Sequence, residues 1–105
     1  MKEREIQRQI IRLFEAIGAE VWPTSQYQTR QLRYVRPGLP DLIILLPRGK
    51  GVLFYEVKAQ TKARPEQEDF RRACEMAGAG YCIGGLEEAV AALQALGFTA
   101  SDWKS

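Results

Sequence analysis

The stretch GLPDLIILLPRGKGVLFYEVKAQ, Gly38 to Gln60, decides the fold of this chain. It holds two apolar runs, 39–46 and 52–58, which are rich in the branched and aromatic residues that favour strands. The intervening PRGKG, 47–51, is typical of a hairpin turn. Because a tight turn joins antiparallel neighbours, we expect the two strands to pair along their length.

Three charged residues interrupt this apolar hairpin: Asp41 in its first strand, and Glu56 and Lys58 in its second. Side chains two residues apart share one face of a strand, so Glu56 and Lys58 lie on the same face. Asp41 stands near the start of its strand and the other two near the end of theirs, which is the same end of the hairpin. The spacing therefore predicts that all three charges meet on one face at one edge of the sheet.

Two interpretations of these charges are open from the residues alone. Two carboxylates that converge in an apolar setting repel each other and are costly to desolvate, and a divalent cation relieves both problems. Mg²⁺ binds through one or two carboxylates, and a neighbouring lysine can orient a water or balance charge on a phosphate. The other interpretation is a cross-strand ion pair at a solvated edge of the sheet.

The rest of the chain supplies helices and short strands around this hairpin. Apolar residues at three- and four-residue spacing predict a helix near the N-terminus that Gly18 ends, and a proline opens a later helix. A polar, basic segment before the hairpin has weak periodicity and is interpreted as a loop or an irregular arm. The predicted elements are helix 2–17, strand 20–23, loop 24–38, the hairpin strands, helix 65–77, strand 81–83 and helix 86–96. This α-β-β-β-α-β-α order predicts an α/β fold, with a mixed sheet flanked by helices.

Composition limits the chemistry. The chain has 105 residues, 46% of them hydrophobic and 27% charged, which fits one domain over 1–105. It has no histidine, which excludes histidine-based catalysis and histidine-ligated metals. Cys74 and Cys82 have no metal-ligand spacing and are expected to be reduced core residues. No signal peptide or apolar run of membrane-spanning length is present, so we expect a cytoplasmic protein with no membrane partner.

The pattern Pro40–Asp41, followed after the hairpin by Glu56-Val57-Lys58, resembles the PD-(D/E)XK nuclease superfamily. The surrounding sequence is similar to its VRR-NUC branch: EREIQRQIIRLFEAIGAEVW at the start, PGLPDLIIL and EVKAQTKARPEQEDF around the hairpin, and AGAGYCIGGLEEAVAAL beyond it. The resemblance follows nearly the whole chain in order. It implies a restriction-endonuclease-like mixed sheet and a stand-alone VRR-NUC domain of the phage or bacterial type.

The resemblance also implies roles for particular residues. Asp41 and Glu56 match the metal-binding acids, and the Val57 carbonyl completes that part of the metal site. Lys58 matches the catalytic lysine, and Gln67 matches the glutamine on the helix that follows.

A glutamate on the first helix belongs to the family's site, and Glu3 and Glu5 are both candidates. Glu3 lies three and seven residues before Ile6 and Ile10, on the apolar stripe, whereas Glu5 points to the polar side of the helix. Helical phase therefore favours Glu3. A first-turn acid that is favoured by the helix dipole would look the same.

The implied activity is that of an endonuclease that uses Mg²⁺ or Mn²⁺, with no small-molecule cofactor, in a bacterial or phage-infected cell. Its substrate would be branched or duplex DNA, and a homodimer would suit symmetric cutting of a Holliday junction. Phosphate contacts are expected from basic residues in the middle of the chain: Arg30, Arg33, Arg36, Lys62 and Arg64. Two alternatives stay open: a catalytically inactive nucleic-acid-binding module on the same fold, and an α/β protein for another ligand.

Overall fold

The computed structural model describes residues 2–24, 38–59 and 65–104. Their helices and strands follow the predicted order and end in one short additional helix. In chain order they are α1 (Glu3–Ala16), β1 (Glu20–Pro23), β2 (Leu42–Leu46), β3 (Gly51–Val57), α2 (Pro65–Ala77), β4 (Gly80–Gly84), α3 (Leu86–Ala95) and α4 (Ala100–Trp103). The sequence analysis missed α4 because four residues are too few to show helical periodicity.

The strands form a mixed sheet in the order β1-β2-β3-β4. The pairs β1–β2 and β2–β3 are antiparallel, and the second closes as the predicted hairpin, with Leu46 opposite Gly51. The pair β3–β4 is parallel because α2 carries the chain back across the sheet before β4 begins. The predicted α/β class, a mixed sheet with flanking helices, is confirmed.

One face of the sheet, here called the core face, is buried against α1 and α3. It presents the alternate apolar residues of the hairpin, and Tyr55 meets Phe14 of α1 edge to face with ring centroids 6.1 Å apart. Val57 is also in this core, as alternation predicted for the residue between Glu56 and Lys58. The hydrophobic core includes Ile6, Ile10, Phe14, Leu42, Ile44, Leu53, Tyr55, Val57, Ala89 and Leu93.

The opposite face, here called the site face, is covered unevenly. On its β3–β4 half, Phe70 of α2 packs against Phe54 and Tyr81, with ring centroids 5.1 Å and 6.0 Å apart. On its β1–β2 half, Trp22 and Leu45 keep 43% and 41% of their surface exposed. The helix therefore shields one half of the site face and leaves apolar side chains accessible on the other.

The hairpin strands are shorter at one end than predicted. β2 begins at Leu42 rather than at residue 39, and β3 ends at Val57, so Asp41 and Lys58 lie just outside the regular strands. The physical reason is that Pro40 has no N–H to donate, and the Val57 N–H goes to the Asp41 side chain at 2.9 Å. Other element ends differ from the prediction by one residue, and the predicted loop lies outside the described residues except at its two ends.

Two further expectations concern the cysteines and the membrane. Cys74 is buried and Cys82 is half-buried, and both are free thiols. Within the described ranges, no helix combines the length and the apolar character that crossing a membrane requires.

The turn between β4 and α3 depends on Gly84, whose carbonyl accepts the Lys58 N–H at 3.0 Å. Gly84 has φ +137°, and a Cβ there would collide with the carboxylate of Glu88. We expect Gly84→Ala to lower the free energy of unfolding by about 1–3 kcal/mol. Gly85→Ala is the matched control, because a Cβ at Gly85 would make ordinary contacts of 3.6–3.8 Å. Thermal unfolding of the two variants checks this, and equal stability would contradict it.

Candidate active site

Asp41 is fixed from both neighbouring strands at the start of β2. Its Oδ2 accepts the Val57 N–H at 2.9 Å, and its carbonyl accepts the Thr24 N–H at 2.8 Å. The Thr24 hydroxyl donates to the carbonyl of Pro40 at 2.6 Å. Thr24 is 4% exposed and was not among the residues that the sequence singled out. The main chain before β2 is therefore held by β1, while the Asp41 carboxylate is held by β3.

Glu56 lies opposite Asp41. The hairpin register pairs Leu42 with Tyr55, and its continuation by one residue brings the two acids into register. Glu56 is only 5% exposed, and its Oε2 accepts a hydrogen bond from the side-chain amide of Gln67. Its other oxygen, Oε1, is buried and has no hydrogen-bond partner among the residues that the structure describes. One oxygen of this buried carboxylate is thus satisfied by Gln67, and the other has no partner among the described residues.

Gln67 reaches this carboxylate from the first turn of α2 and is 1% exposed. Burying an amide is favourable only where hydrogen bonds replace its contacts with water, and the carboxylate of Glu56 provides one. The contact ties α2 to the end of β3. Gln67 therefore lies beside the acid pair, in contact with Glu56.

Lys58 brings a positive charge to the same end of β3. Its Nζ lies 4.0 Å from Glu56 Oε2, and its side chain is 22% exposed. Its main-chain N–H donates to Gly84 at 3.0 Å, which extends the pairing with β4 by one residue beyond the strand. The ammonium group is therefore at the rim of the acid pair, where it can contact both the carboxylate and solvent.

Asp41 affects the protonation of Glu56. Burial, followed by the charge of Asp41, raises the pKa of Glu56 from 4.5 to about 7, and Lys58 offsets part of that rise. Burial and then the charge of Glu56 raise the pKa of Tyr81 to about 12. Within the described ranges the Tyr81 hydroxyl is buried without a hydrogen-bond partner. Among the residues that the structure describes, two buried oxygens at this site thus have no hydrogen-bond partner.

The available ligands suit a hard divalent cation. Carboxylate and carbonyl oxygens are the ligands that Mg²⁺ and Mn²⁺ accept, and an unpartnered buried carboxylate oxygen with a raised pKa is stabilised by such a charge. Within the described part of the chain, no three acidic, cysteine or histidine side chains come together as a metal cluster. The described residues therefore offer two close acids, Asp41 and Glu56, as the start of a metal site.

A solved structure named "VRR_NUC domain" superposes on this chain with a TM-score of 0.66. The two sequences are 32% identical, and the alignment covers 91% of this chain and 97% of that one. The chain belongs to the VRR-NUC domain family. No protein-family model matches the sequence, and no curated protein matches it either. VRR-NUC domains are nuclease domains, so the predicted family and its restriction-endonuclease-like α/β fold are confirmed.

In this VRR-NUC domain, the first-helix acid is not joined to the other two. Glu3 and Glu5 are both exposed, and neither forms a metal cluster with Asp41 and Glu56 among the described residues. The start of α1 nevertheless lies at the same end of the sheet as Lys58. Ile6 of α1 and the carbonyl of Lys58 both lie close to Gly85. Glu3 precedes Ile6 by one helical turn and stays the preferred candidate by helical phase.

The expected phosphate-binding residues of this VRR-NUC domain lie outside the described residues: Arg30, Arg33, Arg36, Lys62 and Arg64. In contrast, the structure places two residues at the site that the sequence had not singled out. Thr24 could have been found only from the β1–β2 register, and Tyr81 only from the parallel register that sets it beside Phe54. Neither register has a local signal in the sequence.

Proposed function

We propose that this VRR-NUC domain is a metal-dependent endonuclease that hydrolyses DNA phosphodiester bonds. The observation that carries the proposal is the buried acid pair at one end of the hairpin, in which Glu56 Oε1 has no partner among the described residues and Lys58 stands 4.0 Å from Oε2. A structural ion pair has no need of an unsatisfied buried oxygen, which costs free energy. A binding module that had lost its chemistry has no need to keep one either.

Asp41, Glu56 and the main-chain carbonyl of Val57 would hold Mg²⁺ or Mn²⁺, with Glu3 contributing directly or through water. A bound divalent ion polarises the scissile phosphate and lowers the pKa of a bound water. The protein fixes its two acids in advance, because the Val57 N–H holds one oxygen of Asp41 and the Gln67 amide holds one oxygen of Glu56. Glu56 keeps Oε1, which has no hydrogen-bond partner among the described residues, for binding.

Lys58 supplies the positive charge at the rim of this site. Its ammonium group can orient the attacking water or balance the negative charge that develops on the phosphate. Gln67 acts as a positioning residue, because its amide contacts Glu56 and fixes the orientation of that carboxylate. In this proposal Asp41 and Glu56 bind the ion, Lys58 supplies positive charge, and Gln67 orients Glu56.

The DNA is proposed to be held by the five basic residues Arg30, Arg33, Arg36, Lys62 and Arg64. Their phosphate contacts would weaken steeply as salt is raised. We further propose a homodimer that acts on branched DNA such as a Holliday junction, because two sites related by a twofold axis match a symmetric junction. A bacterial or phage-infected cytoplasm is the proposed setting.

A cleavage panel tests the function. The substrates are a four-way junction, a flap, a single strand and a duplex, each incubated with Mg²⁺, Mn²⁺ or EDTA. We expect cleavage with either metal, fastest on a branched substrate, and no cleavage in EDTA. Binding that is insensitive to EDTA, with no cleavage of any substrate, would favour the inactive binding module instead. Sedimentation equilibrium tests the dimer.

Thr24 gives a prediction about positioning. Thr24→Val keeps the shape of the side chain but removes the hydroxyl that bonds to the carbonyls of Pro40 and Asp41. We expect the free energy of unfolding to fall by about 1–2 kcal/mol, and cleavage to slow by about ten- to hundredfold because Asp41 is displaced. Thr24→Ser, which keeps the hydroxyl, is the control. Wild-type cleavage by Thr24→Val would show that this hydroxyl has no role in the site.

A further inference from the structure

Trp22 is an exposed indole on the same face of the sheet as the acid pair. It lies in the edge strand β1 and is 43% exposed. Its neighbour Val21 packs against the core, so alternation directs Trp22 to the site face. Its exposed surface is therefore available for contact with a molecule bound at the acid pair.

The register places Trp22 close to the acids. Trp22 is paired with Ile43, and Asp41 precedes Ile43 by two residues on the same face. The pairing continues past the strand ends, since the Thr24 N–H donates to the Asp41 carbonyl at 2.8 Å. Residues in such diagonal positions have Cα atoms about 7–8 Å apart, within the reach of an aromatic side chain. The register therefore places Trp22 one diagonal position from Asp41 on the site face.

We propose that Trp22 is a stacking platform for an unpaired nucleobase beside the scissile phosphate. The inference rests on the proposed nuclease function and adds to it a residue that selects the substrate. Bases stack on aromatic side chains in single-stranded nucleic acid, with little dependence on sequence. In an intact duplex both faces of each base are already stacked, so the platform selects DNA with an unpaired nucleotide at the cleavage site.

The charges around Trp22 favour a base over a phosphate. Asp41 lies at one diagonal, and Glu20, exposed two residues earlier in β1, occupies the same face at the other end of the strand. Without a bound cation, both carboxylates disfavour a phosphate over Trp22 itself, whereas the indole between them provides an apolar surface that a base can cover. α2 limits it further, since Phe70 already covers Phe54 on the other half of the face.

Fluorescence tests the platform without any need for cleavage. The chain has two tryptophans, so Trp103→Phe leaves Trp22 as the only indole. This variant is titrated in EDTA with a dT oligonucleotide and with a duplex of equal length. We expect saturable quenching of Trp22 by the single strand and much weaker quenching by the duplex.

Binding and cleavage of three variants complete the test. We expect Trp22→Ala to lower affinity for the dT oligonucleotide by about five- to hundredfold and to lower the ratio of flap to duplex cleavage. Trp22→Phe should restore most of both. Leu45→Ala is the matched control, because Leu45 is 41% exposed on the same face but further from Asp41.

The outcomes separate the platform from the nuclease proposal. Quenching by the single strand, with no cleavage under any metal, would support the platform and refute the nuclease. Cleavage with no quenching, and with a flap-to-duplex ratio that Trp22→Ala leaves unchanged, would overturn the platform alone. A smaller molecular mass for Trp22→Ala than for the wild type would also overturn it, because a second copy of the chain would then cover the indole.

Discussion

Replacing Lys58 by alanine is expected to leave a folded protein that cleaves DNA at least about a hundredfold more slowly. The side chain brings its ammonium group to 4.0 Å from Glu56 Oε2, and positioned proton donors and charges of this kind commonly contribute about 10²–10⁴-fold. Folding should survive, since it is the main-chain N–H of Lys58 that pairs with Gly84. Single-turnover cleavage with Mg²⁺ and with Mn²⁺, together with circular dichroism, measures both parts.

Lys50→Ala is the matched control for this experiment. Lys50 is exposed in the turn between β2 and β3, at the opposite end of the hairpin from Lys58. The Lys50→Ala variant should cleave like the wild type. A slower Lys58→Ala variant would then reflect the loss of a lysine from the site and not a general loss of positive charge. Cleavage by Lys58→Ala at the wild-type rate with either metal would mean that the site has been assigned wrongly.

Glu56→Gln is expected to abolish cleavage and to stabilise the metal-free protein at high pH. Folding raises the pKa of Glu56 from 4.5 to about 7, so the folded state holds the proton more tightly than the unfolded state. The stability that this proton provides is fully present below pH 4.5 and is lost as the pH rises through 7. Above pH 7 the folded protein holds an unfavourable buried charge, which glutamine lacks.

We therefore expect Glu56→Gln to melt several degrees above the wild type in EDTA at pH 8, a gain of up to about 3 kcal/mol. At pH 4 the two proteins should melt within a degree or two of each other. Mg²⁺ or Mn²⁺ should raise the melting temperature of the wild type but not of Glu56→Gln, because a ligand stabilises only the state that binds it.

Glu15→Gln, at an exposed position of α1, controls for the removal of a negative charge. It should show neither the gain at pH 8 nor the loss of the metal response. A Glu56→Gln protein that is less stable than the wild type at pH 8 would show that the carboxylate is not buried against Asp41.

The hairpin was predictable because its information is local. The turn after Leu46 sets the register, the alternation of apolar residues sets the faces, and together they bring Asp41 opposite Glu56. The helices were likewise predictable from periodicity and from Gly18 and Pro65. What failed was the exact end of each hairpin strand, because the Asp41 side chain takes a hydrogen bond that a main-chain carbonyl takes in a regular strand pair.

The rest of the site depends on contacts between residues distant in the chain. Gln67 could be singled out only through the family resemblance, and its contact with Glu56 has no local signal, since no local pattern directs α2 over the end of β3. Thr24 and Tyr81 come from β1 and β4, whose partners and directions are fixed by packing. Glu3 and Glu5 differ only in helical phase, and both are exposed.

The hydrogen bond from the Val57 N–H to Asp41 makes this aspartate a structural member of the sheet as well as a candidate ligand. Asp41→Ala removes an acid from the site and a hydrogen-bond acceptor from the end of β3 at once. Loss of activity in that variant is therefore ambiguous between chemistry and folding. Lys58 has no such double role, because its structural contact is made by the main chain, and it is the cleaner position at which to judge the chemistry.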